Sequence, residues 1–174
     1  MSFVSTFKYI FSFVLISIVS FGIQSCVSYS FTGASIPPEA KTVSIQYIDN
    51  QANLIVPTLS ESLTTALKDR FSTQTNLILV RQNGDLQFEG VITDYRTTPQ
   101  AITGNEVAAM NRLSISVKIK FINLLEPENN YETKFSRYMD YSSTNDLATV
   151  QDGLIILINE MLVDDIFNKA VVNW

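Results

Sequence analysis

Hydrophobic and polar residues alternate most regularly between residues 113 and 121. The odd-numbered positions of this stretch are apolar, while the even-numbered ones are serine or lysine. A period of two residues puts alternate side chains on opposite faces of a strand, so we expect one face to be buried. The inward residues would be Leu113, Ile115, Val117, Ile119 and Phe121, and the outward residues Ser114, Ser116, Lys118 and Lys120.

Four further segments read as strands. They are predicted at residues 42–48, 77–80, 86–95 and 131–141. In the first of them, Val43, Ile45 and Tyr47 are expected on one buried face. Asn83-Gly84 is a strong turn signal before the third. The last follows a polar turn at 125–130, and we expect it to be the hairpin partner of the strand at 113–121.

A first helix is predicted after Pro57. Thr58-Leu59-Ser60-Glu61 has the form of a capping box, with a hydroxyl at the cap and a carboxylate three residues later. The helix is expected to end near Ser72. Its apolar positions recur at helical spacing; they are Leu59, Leu63, Ala66, Leu67 and Phe71.

A second, longer helix is predicted near the end of the sequence. Ser143 and Asp146 are the candidate N-terminal caps, and the apolar spacing continues to about Ala170. The expected apolar stripe consists of Leu147, Val150, Leu154, Leu157, Ile158 and Met161, widened by Leu162, Ile166 and Phe167.

The order of these elements is β-α-β-β-β-β-α. Two amphipathic helices are most simply buried against one face of a sheet. We therefore predict an α+β fold, a two-layer sandwich with two helices packed on one face of a mostly antiparallel four- to five-stranded sheet. A long polar loop is expected at residues 96–111, between the predicted strands at 86–95 and 113–121.

The N-terminal residues have the pattern of an export signal. Lys8 is the only charge before the cysteine, and an apolar run extends from Tyr9 to Ile23. This run suits a signal peptide better than a spanning helix, which needs about 20 apolar residues. It ends in Ile23-Gln24-Ser25-Cys26, which resembles the lipobox of bacterial lipoproteins. An uncleaved anchor with an incidental cysteine is the alternative.

This motif predicts the arrangement of the chain. Residues 1–25 would be a cleaved lipoprotein signal peptide, residues 26–41 a lipidated N-terminus with an extended linker, and residues 42–174 the α+β domain. Cys26 would carry an S-linked diacylglycerol and an N-linked acyl chain such as palmitate. Because no acidic residue follows Cys26 until Glu39, we expect the domain to lie at the outer membrane and face the periplasm.

Composition excludes several classes of function. The chain has 17 acidic and 12 basic residues, no histidine and one cysteine. A net negative domain is poorly suited to nucleic acid, whose phosphates must be neutralised. Histidine, the commonest metal ligand and the commonest general base, is therefore absent from the sequence. The sequence also contains no nucleophile elbow and no phosphate-binding glycine loop. We expect no enzyme and no cofactor beyond the covalent lipid, although composition leaves a serine–lysine pair open.

The sequence as a whole resembles the LptE family of lipopolysaccharide-transport lipoproteins. No single matching segment is diagnostic of the family, but the order of the segments along the chain is. The matching segments are Tyr29–Ala34, Ser44–Tyr47, Leu67–Phe71, Gly84–Gly90, Gly104–Glu106, Asn111–Leu113, Phe135–Tyr138, Asp165–Ala170 and Asn173-Trp174. The sequence departs from the family pattern directly after Cys26. It has Val27-Ser28 there, where the family leads us to expect a shorter segment that contains glycine.

The resemblance implies a binding and structural role. Family members sit inside and below the outer-membrane β-barrel LptD, help it assemble, plug it, and are thought to contact lipopolysaccharide. The expected location is therefore the outer membrane, lipid-anchored, facing the periplasm and partly within the barrel lumen. A free periplasm-facing lipoprotein that binds or carries a lipophilic ligand is the competing interpretation.

Basic residues supply the first candidate contact with lipopolysaccharide or the barrel. Lys118, Lys120 and Lys134 are predicted on the outward face of the hairpin, with Arg137 near them. Like charges placed opposite each other are destabilising, so this face would suit an anionic partner. The alternative is a solvated strand face on which Glu132 screens the lysines.

The predicted polar loop and the C-terminal aromatic residues supply two further candidates. Arg96 and Arg112 flank the predicted loop, and loops of this length are often functional; a long irregular hairpin without a contact role is the alternative. Trp174 could anchor the chain in the barrel interface, since tryptophan is enriched at such hot spots. It could equally pack at the end of the second helix together with Phe167.

Overall fold

A computed structural model describes residues 36–100 and 110–171. Cys26, Trp174 and residues 101–109 lie outside this part of the chain. The helices are α1 (Pro57–Gln74) and α2 (Leu147–Val171). The strands are β1 (Thr42–Ile45), β2 (Asp49–Asn50), β3 (Ile78–Val80), β4 (Leu86–Gln100), β5 (Met110–Asn123) and β6 (Tyr131–Ser142), with a 3-10 turn at Pro127–Asn129.

The described strands form one open sheet in the order β3-β1-β4-β5-β6, with β2 also beside β4. The three long strands β4, β5 and β6 are antiparallel. The short strand β1 is parallel to both of its neighbours, β3 and β4. β3 can run parallel to β1 because α1 crosses back over the sheet between these two strands. Helix α1 packs on β1, β2 and β3, and α2 packs on β5 and β6. The predicted α+β sandwich is confirmed, with six strands instead of four to five.

The extra strand arises from a break in the predicted strand at residues 42–48. The chain leaves the regular alternation after Ile45 and pairs again with β4 as β2. The break shifts the phase by one residue, so that Ile48 is buried and Tyr47 is 55% exposed. The Ile48 amide donates to Thr64 Oγ1 of α1 at 3.1 Å, which secures this shift. The prediction that Tyr47 shares the buried face was wrong.

Helix α1 begins one residue earlier than predicted. Its N-cap is Val56, which makes no side-chain capping bond, and Pro57 occupies the first turn. Proline suits this position because its φ is already helical and its missing N–H has no partner there. Thr58 is therefore inside the helix, and the predicted capping box does not form. The predicted apolar face is confirmed, since Leu59, Leu63, Leu67 and Phe71 are fully buried.

Helix α2 is capped by Asp146, whose Oδ1 accepts a hydrogen bond from the Ala148 amide at 3.1 Å. Its predicted stripe is buried at most positions, but Leu157 is 44% exposed and Ile155 is buried instead. The reason is that α2 contacts α1 as well as the sheet. Asn159 is buried between the helices, where its Nδ2 donates to Ser62 Oγ at 3.0 Å.

The hairpin of β4 and β5 is longer than predicted. Residues 97–100 pair with residues 110–113, so residues 96–100 and 110–111 of the predicted polar loop at 96–111 are strand. The polar residues are tolerated there because the open face of the sheet is not covered by a helix. A bulge at Thr93 shifts the register of β4, and as a result Ile92 and Tyr95 both face the core.

Asp85 joins the start of β1 to the start of β4. Its Oδ2 accepts hydrogen bonds from the amides of Lys41 and Thr42, both at 2.9 Å, and from Thr42 Oγ1 at 2.8 Å. These donors, the Lys41 amide first, hold the pKa of the Asp85 carboxyl below its ordinary value. The carboxylate form is therefore the one that the fold prefers.

Replacing Asp85 with asparagine should lower the melting temperature at pH 7. A depressed carboxyl pKa stabilises the fold above the unfolded value of about 3.9, and this contribution is lost as the pH falls through the folded value. The difference between wild type and D85N should thus shrink below about pH 4. Thermal unfolding followed by circular dichroism from pH 7 to pH 3 measures the difference in melting temperature. A difference that does not change with pH would contradict the stabilising role of the Asp85 carboxylate.

Candidate functional site

The face of the sheet opposite the helices is polar and carries most of the predicted site residues. On β5 this face presents Arg112, Lys118 and Lys120, which alternate with the buried core residues as predicted. Lys134 and Arg96 lie on the same face, because β6 and β4 align Lys134 with Lys118 and Arg96 with Ser114. We call this surface the open sheet face.

The lysines of the open sheet face have carboxylate partners. Lys118 Nζ lies 2.6 Å from Glu132 Oε1, and Lys120 Nζ lies 3.1 Å from Glu89 Oε2. The hydrogen bond from Lys118 lowers the pKa of Glu132. Lys134, opposite Lys118, forms no ion pair within 4 Å among the described residues. Carboxylates therefore balance most of the positive charge on this face. Among its described lysines, Lys134 is the one without a carboxylate partner.

A shallow depression of about 300 Å³ lies between these ion pairs and the segment that follows β1. Its floor includes Gly90 and Val91 of β4, and Tyr47 stands at its side. Three carboxylates and two ammonium groups line it, so an anion that enters must compete with Glu89 and Glu132 for the lysines. The lining residues are Gln46, Tyr47, Asp49, Glu89, Gly90, Val91, Lys118, Lys120 and Glu132.

Arg112 is held rigidly on the same face. Its Nε and Nη2 donate to the two carboxylate oxygens of Asp140 at 2.7 and 2.8 Å. Its guanidinium carbon also lies 3.6 Å from the centre of the Tyr138 ring. The bidentate bond lowers the pKa of Asp140. Arg96 is more exposed and reaches Asp94 at 3.3 Å, so it is the freer of the two arginines.

Arg137 lies on the other face of the sheet. It alternates in step with the buried Phe135, and it donates two hydrogen bonds of 2.6 Å to Asp165 of α2. This pair joins the edge strand β6 to the second helix. The structure thus separates Arg137 from the lysines with which the sequence grouped it.

Sequence reasoning missed most of the acidic partners of this face. It considered Glu132 as a screen, but Glu89 and Asp140 were not recognised as partners. Their positions follow from the strand register, which aligns Glu89 with Lys120 and Asp140 with Arg112. The alternation of charged positions on the three strands was the available signal, but it is informative only once the register is known.

Two negative observations apply to residues 36–100 and 110–171. No group of three or more cysteine, aspartate or glutamate side chains is placed to hold a metal ion in this part of the chain. Within the same ranges, neither helix has the length and apolar character that crossing a membrane requires.

The described residues form a two-layer α+β domain with an ion-paired open sheet face. The chain belongs to the LptE family, described as lipopolysaccharide-assembly, whose model matches residues 40–170. The match covers both described helices and all six described strands. A comparison with curated protein sequences finds no significant match.

Several solved structures are similar in fold. A protein described as a neuraminyllactose-binding hemagglutinin homolog from Helicobacter pylori has a TM-score of 0.50 at 10% identity, covering 81% of this chain and 88% of that one. A minor lipoprotein from Acinetobacter baumannii has a TM-score of 0.49 at 15% identity, covering 75% and 91%. The hypothetical protein CT253 from Chlamydia trachomatis has a TM-score of 0.48 at 10% identity, covering 77% and 99%.

Proposed function

We propose that this protein is an accessory and plug subunit of the lipopolysaccharide translocon. In this role it assists assembly of the LptD β-barrel and insertion of lipopolysaccharide into the outer membrane. The single observation that supports the proposal is membership of the LptE lipopolysaccharide-assembly family across residues 40–170. The role is one of binding and assembly, with no chemical step.

The proposal includes an anchor and a location. Residues 1–25 are removed, Cys26 carries the lipid, and residues 26–41 link it to the domain. Two or three acyl chains hold a protein at a membrane effectively permanently, whereas one chain binds only marginally. The domain then faces the periplasm at the outer membrane and enters the barrel lumen in part. The lipobox-like Ile23-Gln24-Ser25-Cys26 supports this part of the proposal.

Purification in mild detergent tests the proposal directly. A tagged chain should recover a large β-barrel in stoichiometric amount, and depletion should reduce assembled barrel and mislocalise lipopolysaccharide. A chain in which an ordinary cleavable signal peptide replaces residues 1–26 is the matched control: it should leave the membrane fraction, and any barrel that it still recovers reports contacts of the domain alone. An isolated monomer with extractable lipid would instead favour a free carrier lipoprotein.

The open sheet face is the proposed contact for lipopolysaccharide phosphates. Replacing Lys118, Lys120 and Lys134 together by glutamine should weaken lipopolysaccharide binding by about tenfold, since each exposed charge pair contributes less than about 1 kcal/mol. Barrel recovery should remain unchanged. Binding is measured with the detergent-solubilised chain and labelled lipopolysaccharide.

The matched variant for this test replaces the same three lysines by arginine. It retains the charge and should retain most of the affinity. Equal affinity of the glutamine variant and the wild type would mean that this face is merely solvated and that its glutamates satisfy the lysines.

A further inference from the structure

The strand β3 is an edge of the sheet within the described residues. It is parallel to β1, and its Ile78 amide donates to the Lys41 carbonyl at 2.8 Å. Successive residues of a strand direct their main-chain groups to opposite sides. The N–H and C=O of Leu79 therefore point away from the sheet, where they can pair with another strand.

The surface beside this edge is apolar. Ile78 is 65% exposed and Leu79 is 40% exposed. Leu79 also lines an open cavity of about 400 Å³ at the carboxyl ends of β1 and β3. Ile45, Tyr47 and Val80 contribute to its walls. We call this cavity and the adjoining edge the β3 groove.

The charge of the β3 groove has one sign. Lys68 of α1 and Arg81, just after β3, line it, and no carboxylate does. Neither cation forms an ion pair within 4 Å with another described residue. The open sheet face differs in this respect, since glutamates partner Lys118 and Lys120. On a chain of net charge −5, two adjacent unpaired cations favour an acidic occupant.

We propose that the β3 groove binds an extended, acidic and partly apolar segment of a partner protein, which adds to β3 as a further strand. Main-chain bonds to Leu79 set the position of this segment, as in other cases of strand addition. Its aliphatic side chains cover Ile78 and Leu79, and its carboxylates pair with Lys68 and Arg81. The β3 groove shares Gln46 and Tyr47 with the depression on the open sheet face but none of its lysines, and the proposal holds whether or not the partner is LptD.

A synthetic peptide tests this proposal on the full chain in detergent. The probe is an acetylated octapeptide that alternates glutamate and valine, and amide chemical shifts report where it binds. We expect shifts concentrated at residues 78–82. K68Q/R81Q should weaken binding by about tenfold or more, whereas R137Q/K169Q, which makes the same change in net charge on β6 and α2, should leave it unchanged.

Two altered peptides separate strand addition from simple attraction of charge. A peptide that is N-methylated at every residue keeps its charge but has no amide hydrogen to donate on either edge, so it should lose binding. A lysine–valine peptide should not bind. Equal binding of the methylated peptide, equal loss in both double variants, or no binding of the first peptide would overturn the proposal. Shifts at residues 78–82 caused by phosphatidylglycerol vesicles but not by the peptide would also overturn it, in favour of a lipid surface.

Discussion

Replacement of Phe71 by alanine should lower the free energy of unfolding by about 4 kcal/mol, within the usual range for a fully buried aromatic ring. Phe71 is fully buried at the centre of the core, between the two helices and the sheet. Its ring centre lies 4.9 Å from that of Phe88 and 5.0 Å from that of Phe167. The cavity left by the missing ring would be walled by side chains such as Phe88 and Phe167, which their strand and helix hold in place, so it could collapse only in part.

Urea unfolding of the wild type and of F71A measures this difference in the free energy of unfolding. Phe71→Leu is the matched variant and should lose clearly less, because it retains most of the volume. Tyr47→Ala is a second control: the side chain is exposed, so we expect a small effect, as is usual for surface substitutions. A loss below about 1 kcal/mol for F71A would mean that Phe71 is not the centre of the core.

Gly84→Ala is the second substitution with a large expected effect, a loss of about 3 kcal/mol. Gly84 follows Asn83, which has a positive φ of 56°, and approaches β1 closely. A Cβ at this position would lie 2.5 Å from the Ser44 nitrogen and 2.8 Å from the Val43 carbonyl carbon. Both are backbone atoms of a central strand, so β1 and β4 would have to move apart.

Gly153→Ala is the matched control for this prediction. Gly153 lies within α2, and an added Cβ would meet no atom within 4 Å. Alanine should therefore stabilise the helix by roughly 0.5–1 kcal/mol, because glycine loses more backbone entropy on folding. Chemical unfolding of both variants gives the comparison. Equal and small effects at the two positions would contradict the close approach of Gly84 to β1.

The ion pairs on the open sheet face sharpen the proposal for lipopolysaccharide. An approaching phosphate does not meet free lysines at Lys118 and Lys120, since Glu132 and Glu89 already accept from them. It must either displace these glutamates or bind first at Lys134. This competition is the reason that we expect a moderate loss of affinity in the glutamine variant. It also makes Lys134 the most informative single position.

Local periodicity was sufficient to predict much of the fold. The alternation at residues 113–121 gave the correct buried face of β5, because a period of two residues is a property of one strand alone. The helical spacing of Leu59, Leu63, Leu67 and Phe71 likewise identified the buried face of α1. Turn and apolar signals also gave the order of the main elements and hence the α+β class.

Other features depended on contacts between distant segments. The break after Ile45 is stabilised by Thr64 of α1, and no local pattern reveals that partner. Arg137 faces α2, where Asp165 accepts its hydrogen bonds, and this partner lies 28 residues further along the chain. The carboxylates that neutralise the lysines became visible only with the register of β4, β5 and β6.

The β3 groove shows most clearly the difference between features set by local sequence and features set by contacts between distant segments. The strand at residues 77–80 is evident in the sequence as a short apolar run, but the run does not indicate whether the strand is central or at an edge. The parallel crossover places it at the sheet edge, with Lys68 and Arg81 beside it and no acidic residue in the lining of the groove. Periodicity is set within a few residues of chain, whereas edges, ion pairs and grooves are set by which segments the folded chain brings side by side.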